Sequence, residues 1–264
     1  MAQWNSANNT LQAYNKTLFE VSMPNNQSIL AGDFNLQIAR GKVPGVSLVN
    51  IYGYNATVDG VWIPVWENAT PYTYPPNGGV TMTLYSSSAS DTNVTVFIDG
   101  LDANFNIQTE TLVLTNGTTG VNTVNQYRRI NNMRVTGSVN AVGTLYLSNT
   151  GKTTTYAQIA IGAGKVQWSM YNVPAGYTFY LHRITAAASA TSSAKVLRYR
   201  NYQVSGTGLI STLLQSPWID TYETLRVVPT PYAEKTSIQW QVTSDTTSEV
   251  GIRVEGILIS NSLL

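Results

Sequence analysis

The sequence predicts an all-β protein of tandem antiparallel β-sandwich or jelly-roll units preceded by an extended N-terminal arm. Short runs alternating oily and polar side chains recur along most of the chain, Gly, Asn, Asp or Ser interrupts them at short intervals, and no stretch holds a helical period over three turns. With 264 residues, 43% hydrophobic and only 11% charged, the chain has enough apolar mass to bury about 70–75% of its unfolded surface.

Residues 1–45 form the predicted arm. They are rich in Asn and Gln, contain Pro24 and Pro44, and alternate only around Leu18–Val21 and Phe34–Ile38. The stretch "NNTLQAYNKTLFEV" within them has the pattern of a short helix. From Val46 the β pattern sharpens through "VSLVNIYGYNATV", "GVTMTLYSSS", "NVTVFIDGLD" and "TETLVLTNG", whose β-branched and aromatic residues suit a half-buried pleated surface. These runs and "MRVTGSV" define a first sandwich over 46–135. A second set over 136–264 runs from "GTLYLSN" to "EVGIRVEGILIS" and defines a second, jelly-roll-like sandwich. Pro174 and Gly176 supply a turn between two aromatic-rich strands. In "YTFYLHRIT", strict alternation places Phe179, Leu181 and Arg183 on one face and Tyr180, His182 and Ile184 on the other. "GLISTLLQS" (208–216) is the second short helix expected, with Leu209 and Leu213 on one side.

Much chemistry is excluded by composition. A net charge of +1 without a Lys/Arg block provides no field for nucleic acid or an anionic membrane. The absence of cysteine removes thiolate nucleophiles, disulfides and thiolate metal sites. His182, the single histidine, sits in a strand with no acid near it in sequence, so it reads as a satisfied strand residue rather than a general base. Asp99 and Asp102 in "DGLD" lack the ligand order of a calcium loop and read as a hairpin turn. No catalytic, metal-binding or cofactor-binding residue is assigned, and the chain is expected not to be an enzyme. The N-x-S/T triplets beginning at Asn8, Asn15, Asn26, Asn55, Asn68, Asn93 and Asn116 are taken as turn and strand-surface residues, because no basic segment with an apolar h-region opens the chain. No apolar run approaches the roughly 18 residues of a membrane span, so a soluble chain made in the cytoplasm is expected.

Partner-binding candidates are therefore aromatic and cationic. Trp62, Trp66, Tyr72 and Tyr74 lie in "VDGVWIPVWENATPYTYPPNGG", which its prolines hold partly extended. They suit either an interface or the closure of one sandwich end. Trp4 and Tyr14 are the corresponding aromatics of the arm. Arg128, Arg129 and Arg134 in "QYRRINNMR" are the candidate cationic contacts.

These residues also carry a resemblance. "GYNATVDGVWIPVWENATPYTYP", Gly100-Leu101-Asp102-Ala103-Asn104, Leu114-Thr115-Asn116-Gly117-Thr118-Thr119, Val173-Pro174-Ala175-Gly176-Tyr177 and Glu234-Lys235-Thr236-Ser237-Ile238 resemble a pattern in tailed-phage virion structural proteins of the marine and cyanophage type, over about residues 50–260. Members of that group look like β-sandwich, capsid-associated proteins without catalytic residues. The resemblance implies a virion protein made in the host cytoplasm and placed on the capsid surface as a decoration or cement protein, in contact with the major capsid protein or other virion proteins. A homo-oligomer, with a trimer favoured, is the expected assembly. The alternative is a head–tail or tail accessory protein, a collar or fibre, that contacts a host glycan.

Overall fold

The structure, a computed structural model, describes residues 3–5, 10–12, 34–68, 70–190, 197–205, 210–218 and 221–264; at 3–5, 10–12, 190, 197, 199, 210–218 and 222 it describes the backbone alone. The fold is all-β and its strand pairs are antiparallel. Residues Met1–Pro44 form one compact unit. Within it β1 (Gln3–Asn5) pairs with β2 (Thr10–Gln12), aligning Trp4 with Leu11, so the expected helix is replaced by strand at Thr10–Gln12. Conversely, Phe34–Ala39 is a helix, α1, although Phe34, Leu36 and Ile38 alternate like a strand. Phe34 and Ile38 are also four apart, a helical spacing, and Gly41 at φ 67° ends the turn.

Gly45–Leu264 is the other compact unit, and in it the chain starts one sandwich, leaves to build a second, and returns. It begins with β3 (Val46–Val58) and β4 (Ile63–Pro64). Strands β5 (Met82–Ser86), β6 (Val94–Leu101), β7 (Ile107–Leu114), β8 (Val121–Asn122), β9 (Arg129–Val135), β10 (Leu145–Asn149) and β11 (Thr155–Ile159) then form an inserted sandwich. Its sheets are ordered β11-β10-β5-β8 and β7-β6-β9. The remaining strands complete the split sandwich: β12 (Met170–Asn172), β13 (Tyr177–Ala190), β14 (Leu197–Val204), β15 (Ile210–Trp218), β16 (Thr221–Tyr232), β17 (Ser237–Ser244) and β18 (Ser248–Ser260). These lie in sheets ordered β16-β13-β18-β3 and β12-β17-β14-β15, with β4 also on β17.

The border therefore does not fall at 135/136. Strand β10 crosses that line to pair with β5, and β3 pairs with β18, setting Leu48 beside Ile257. Adjacency in sequence groups strands into consecutive blocks, whereas the hydrogen-bonded partner of β3 lies near the other end of the chain. The strand at 210–218 likewise replaces the short helix expected at 208–216, because β14 offers it a ladder whose register slips between Arg200 and Tyr202. That pairing outweighs the weak local helical spacing.

A narrow neck joins the sandwiches. Trp66 pairs with Trp168 in an antiparallel bridge. Beside it the Ser169 N–H donates to the Val65 carbonyl at 2.8 Å. The Ser169 hydroxyl accepts from Val65 N–H at 2.7 Å and donates to the Trp240 carbonyl at 2.6 Å. Strands β4 and β12, which lead out of and back into the split sandwich, both lie against β17, every residue of which is buried.

Each sandwich has its own core. Met82, Leu84, Leu145 and Leu147 face Val94, Val96, Ile98 and Leu114 in the inserted one. Phe179, Leu181, Ile184, Ile252 and Val254 face Ile238, Trp240 and Val242 in the split one, where the Phe179 ring meets Tyr171, Tyr232 and Trp240. Full burial of such side chains stabilises by about 1.5–3 kcal/mol each. The alternation expected through β13 breaks at His182. Leu181 pairs with Gly256 and Arg183 with Glu255, so His182 is an extra residue in a bulge. Beyond it Ile184 and Ala186 turn inward and Arg183 outward, as a one-residue insertion in a period-2 pattern requires.

The neck explains Gly53 of β3. A Cβ there would lie 2.4 Å from the Val65 carbonyl oxygen and 2.8 Å from Ser169 N, both backbone atoms that cannot rotate away. At Gly251, paired across the ladder with Tyr54, a Cβ meets nothing within 4 Å. Gly53→Ala is expected to lower the unfolding free energy by roughly 1–3 kcal/mol and Gly251→Ala to stay within about 1 kcal/mol of wild type, as read by urea denaturation. Equal midpoints for the two variants would contradict this packing.

Candidate functional site

The junction between the sandwiches holds the predicted Arg128 and Arg129. Arg129 opens β9 and is only 4% exposed. Its Nε donates to Ser237 Oγ of β17 at 2.8 Å, and its Nη1 donates to the carbonyls of Arg128 at 2.7 Å and Pro75 at 3.4 Å. The guanidinium lies 4.3 Å from the Tyr74 ring centroid and 5.6 Å from that of Phe105. Burial pulls its pKa down from the ordinary arginine value and pushes the Tyr74 phenol up to about 12. Two residues along β9, Asn131 Nδ2 donates to the Asn172 carbonyl at 2.8 Å, and Asn131 Oδ1 accepts from Asn172 N at 3.0 Å. Arg129 is thus internal mortar and is not accessible to a partner. Arg128 is half-buried over Phe105, donating to the Ala103 carbonyl at 2.9 Å and to Asn77 Oδ1 at 3.2 Å.

Most of the aromatic segment is core as well. Trp66 is 2% exposed, and its Nε1 donates to the Thr70 carbonyl at 3.0 Å. Tyr72 packs edge-on against Trp66, Tyr74 and Trp168, and its hydroxyl donates to the Tyr156 carbonyl at 2.9 Å. These two candidates close the end of the inserted sandwich, because rings this large are stabilised more by burial than by waiting at a surface. Trp62 remains half-exposed beneath the Arg200 guanidinium, 4.5 Å from its ring centroid. Trp4 falls in β1, where only the backbone is described, and Tyr14 lies outside the described residues.

Arg134, the third predicted cation, lines a cleft. This cleft, of about 420 Å³, separates the outer face of the β6–β9 pair from the open edge of β3. Ser47–Tyr52 line one wall, Asp99, Asn132 and Arg134 the other, and Lys165 the rim. Asp99 stands directly across the ladder from Asn132, and Arg134 is diagonal to it, across from Phe97. Burial pushes the Asp99 carboxyl up to about 6 against the opposing pull of Arg134. Among the described residues no hydrogen bond or ion pair within 4.0 Å engages that carboxylate, nor does an ion pair engage Arg134 or Lys165. Asp102 alone fulfils the hairpin-turn expectation, its Oδ1 accepting from the backbone N–H of Asn104 at 2.7 Å and of Asn106 at 2.9 Å. Asp99 belongs to the strand. Its signal was present in "VTVFIDGL", where Val94, Val96 and Ile98 point inward and leave Phe97 and Asp99 on the outer face.

Among the described residues no group of three or more His, Asp or Glu side chains is placed to hold a metal, and no helix is long and apolar enough to cross a membrane. No protein-family model matches the chain, and no curated protein matches it. One solved structure, the D431N mutant VP2 protein of infectious bursal disease virus from derived T=1 particles, aligns over 82% of this chain and 70% of that chain, at 9% identity and a TM-score of 0.20. A TM-score of that size does not establish a shared topology.

The raised Asp99 pKa has a defined stability signature. Between the ordinary value of 3.8 and about 6 the folded chain holds a proton that the unfolded chain has released, so stability falls as pH rises through that window. The charges and phenols that face Asp99 are Arg134, Lys165, Tyr127 and Tyr171. Asp99→Asn is expected to be more stable than wild type at pH 8 by on the order of 2 kcal/mol, with the difference shrinking towards pH 4. Urea titrations at the two pH values check this, and a variant less stable than wild type at pH 8 would contradict it.

Proposed function

We propose that this chain is a structural component of a tailed-phage virion, a capsid decoration or cement protein that stabilises the head through contacts repeated by the symmetry of the shell. The observation that carries the reading is an apolar prominence on the edge strand β16. Leu181 and Arg183 pair with Thr230 and Leu225, so the four residues Arg226–Pro229 bulge out opposite His182. Leu225, Val227 and Val228 there are 71%, 95% and 80% exposed. Adjacent apolar side chains this open are covered in an assembly or become an aggregation liability. A shell neighbour, either the major capsid protein or a second copy within a trimer, is the covering partner. Modest interfaces suffice when many copies repeat them.

The resemblance of the Gly100–Asn104, Leu114–Thr119 and Val173–Tyr177 segments to virion proteins supports the same reading, as does the scarcity of charge, which leaves apolar and amide contacts to do the holding. A second reading, a collar or fibre protein of the tail, is favoured by the polar cleft at Asp99, whose carboxylate has no ion pair among the described residues. Copy number separates the two: on the order of hundreds per particle fits decoration, and about a dozen or fewer fits the tail.

Attachment should accordingly survive salt and depend on the bulge. Raising NaCl from about 0.1 M to 1 M shortens the Debye length from roughly 10 Å to 3 Å, and wild-type protein is expected to stay with purified particles through a density gradient at both concentrations. The Val227→Asp, Val228→Asp double variant, changed only at exposed positions, should fold and be lost from particles. Release of wild type at 1 M NaCl, with the variant still bound at low salt, would overturn the apolar interface.

A further inference from the structure

The cleft between the sandwiches poses a question that its own residues do not answer. Asp99 and Arg134 are diagonal neighbours on the outer face of the β6–β9 pair, yet they do not close into an ion pair within 4.0 Å. Lys165, at the rim, likewise has no acidic partner among the described residues, and its ammonium rests 5.4 Å from the Tyr52 ring centroid. Asn132, across the ladder from Asp99, makes no side-chain hydrogen bond among the described residues. An acceptor, an amide with both donor and acceptor capacity, and two cations thus surround about 420 Å³ of open volume, a size within the usual range for small-ligand sites.

A buried charge normally pairs with an opposite one. Here Arg134 and Lys165 stay exposed, lying over the Phe97 ring at 4.7 Å and over the Tyr52 ring rather than on Asp99, which leaves room for a molecule presenting donors to one side and an anion to the other. We propose that the cleft is a binding site for a sugar acid, whose hydroxyls are held by Asp99 and Asn132 and whose carboxylate is held by Arg134 and Lys165. Vicinal hydroxyls match a carboxylate beside an amide, since each hydroxyl both donates and accepts. A carboxylate matches the fork of arginine, with lysine as a point charge beside it. The cost of holding a half-buried aspartate unpaired is consistent with a site kept for binding. This inference does not depend on where in a virion the chain sits, nor on the β16 bulge.

Calorimetric titration of the full chain at pH 7 and low salt tests it, with digalacturonic acid as the probe and neutral galactobiose as the control. The acidic disaccharide is expected to bind at least tenfold more tightly than the neutral one. Asp99→Asn and Arg134→Gln should each weaken it by tenfold or more, while the Val227→Asp, Val228→Asp double variant binds like wild type. Free galacturonate shares the same chemistry. If it binds as tightly as the disaccharide the ligand is a free sugar acid, and if the disaccharide is tenfold tighter the ligand is the end of an acidic polysaccharide; either result supports the site. No binding of either acid, equal affinity for galactobiose, unchanged affinity in both cleft variants, or preferential binding of an N-acetylated peptide carboxylate would overturn the proposal. Circular dichroism of each variant keeps a failure to fold from being scored as a failure to bind.

Discussion

A guanidinium buried without a carboxylate partner sets the relation between the two sandwiches. Removing an arginine head group from water costs several kcal/mol, and Arg129 recovers that cost from three oxygen acceptors and two ring faces rather than from an acid. Its partners come from different parts of the chain: Ser237 from β17 of the split sandwich, Pro75 and Tyr74 from the aromatic segment, and Phe105 from the loop between β6 and β7. The Ser237 acceptor is met only while the two cores keep one relative placement. The Asn131–Asn172 pair repeats the device two residues further along the same strand. Between them these contacts make β9 a strand that packs Ile130 and Met133 into its own sandwich and fastens Arg129 and Asn131 to the other.

The cleft follows from that placement. Because β9 is held against β12 and β17 at one end, its continuation through Asn132 and Arg134 runs beside the open edge of β3, and the space left between is lined by polar groups from both sandwiches. Burial raises the Asp99 carboxyl against the pull of Arg134, so the cleft is expected to concede folding energy at one position while the joint beside it gains energy. In the function and the binding site proposed above, assembly and recognition would use different surfaces: the apolar bulge of β16 on the split sandwich, and the charged cleft at the junction. A virion component that is fixed in the shell and also touches an acidic glycan would use both.

Local rules made the strands legible. Val94–Leu101 and Ile107–Leu114 alternate as half-buried strands do, and Asn116 Oδ1 accepts from Thr119 N at 3.2 Å in the turn that "TNGTTG" announces. What lay beyond reach was anything set by a distant partner. Nothing near Val46–Val58 in sequence indicates that Ser248–Ser260 will pair with it, so an insertion read as two consecutive blocks. The His182 bulge hides for a similar reason: one extra residue changes no composition, yet it reverses which of Arg183 and Ile184 is buried. Trp66 was legible as a residue that closes a sandwich end, whereas Arg129 was legible as unusual but not as buried, since an arginine with no acid nearby in sequence looks solvated until Tyr74, Phe105 and Ser237 are seen around it. Asp99 was passed over because "DGLD" is also good turn chemistry, and in the folded chain only Asp102 uses it.

The central claim is that the neck and the Arg129 joint make the two sandwiches one cooperative body. Differential scanning calorimetry of the wild-type chain beside Arg129→Ala tests it most directly. The body formed by Gly45–Leu264 should unfold in a single transition whose calorimetric and van't Hoff enthalpies agree, and Arg129→Ala should lower the midpoint and resolve that transition into two. Two independent transitions in the wild-type protein, or an Arg129→Ala trace that overlays it, would contradict the claim.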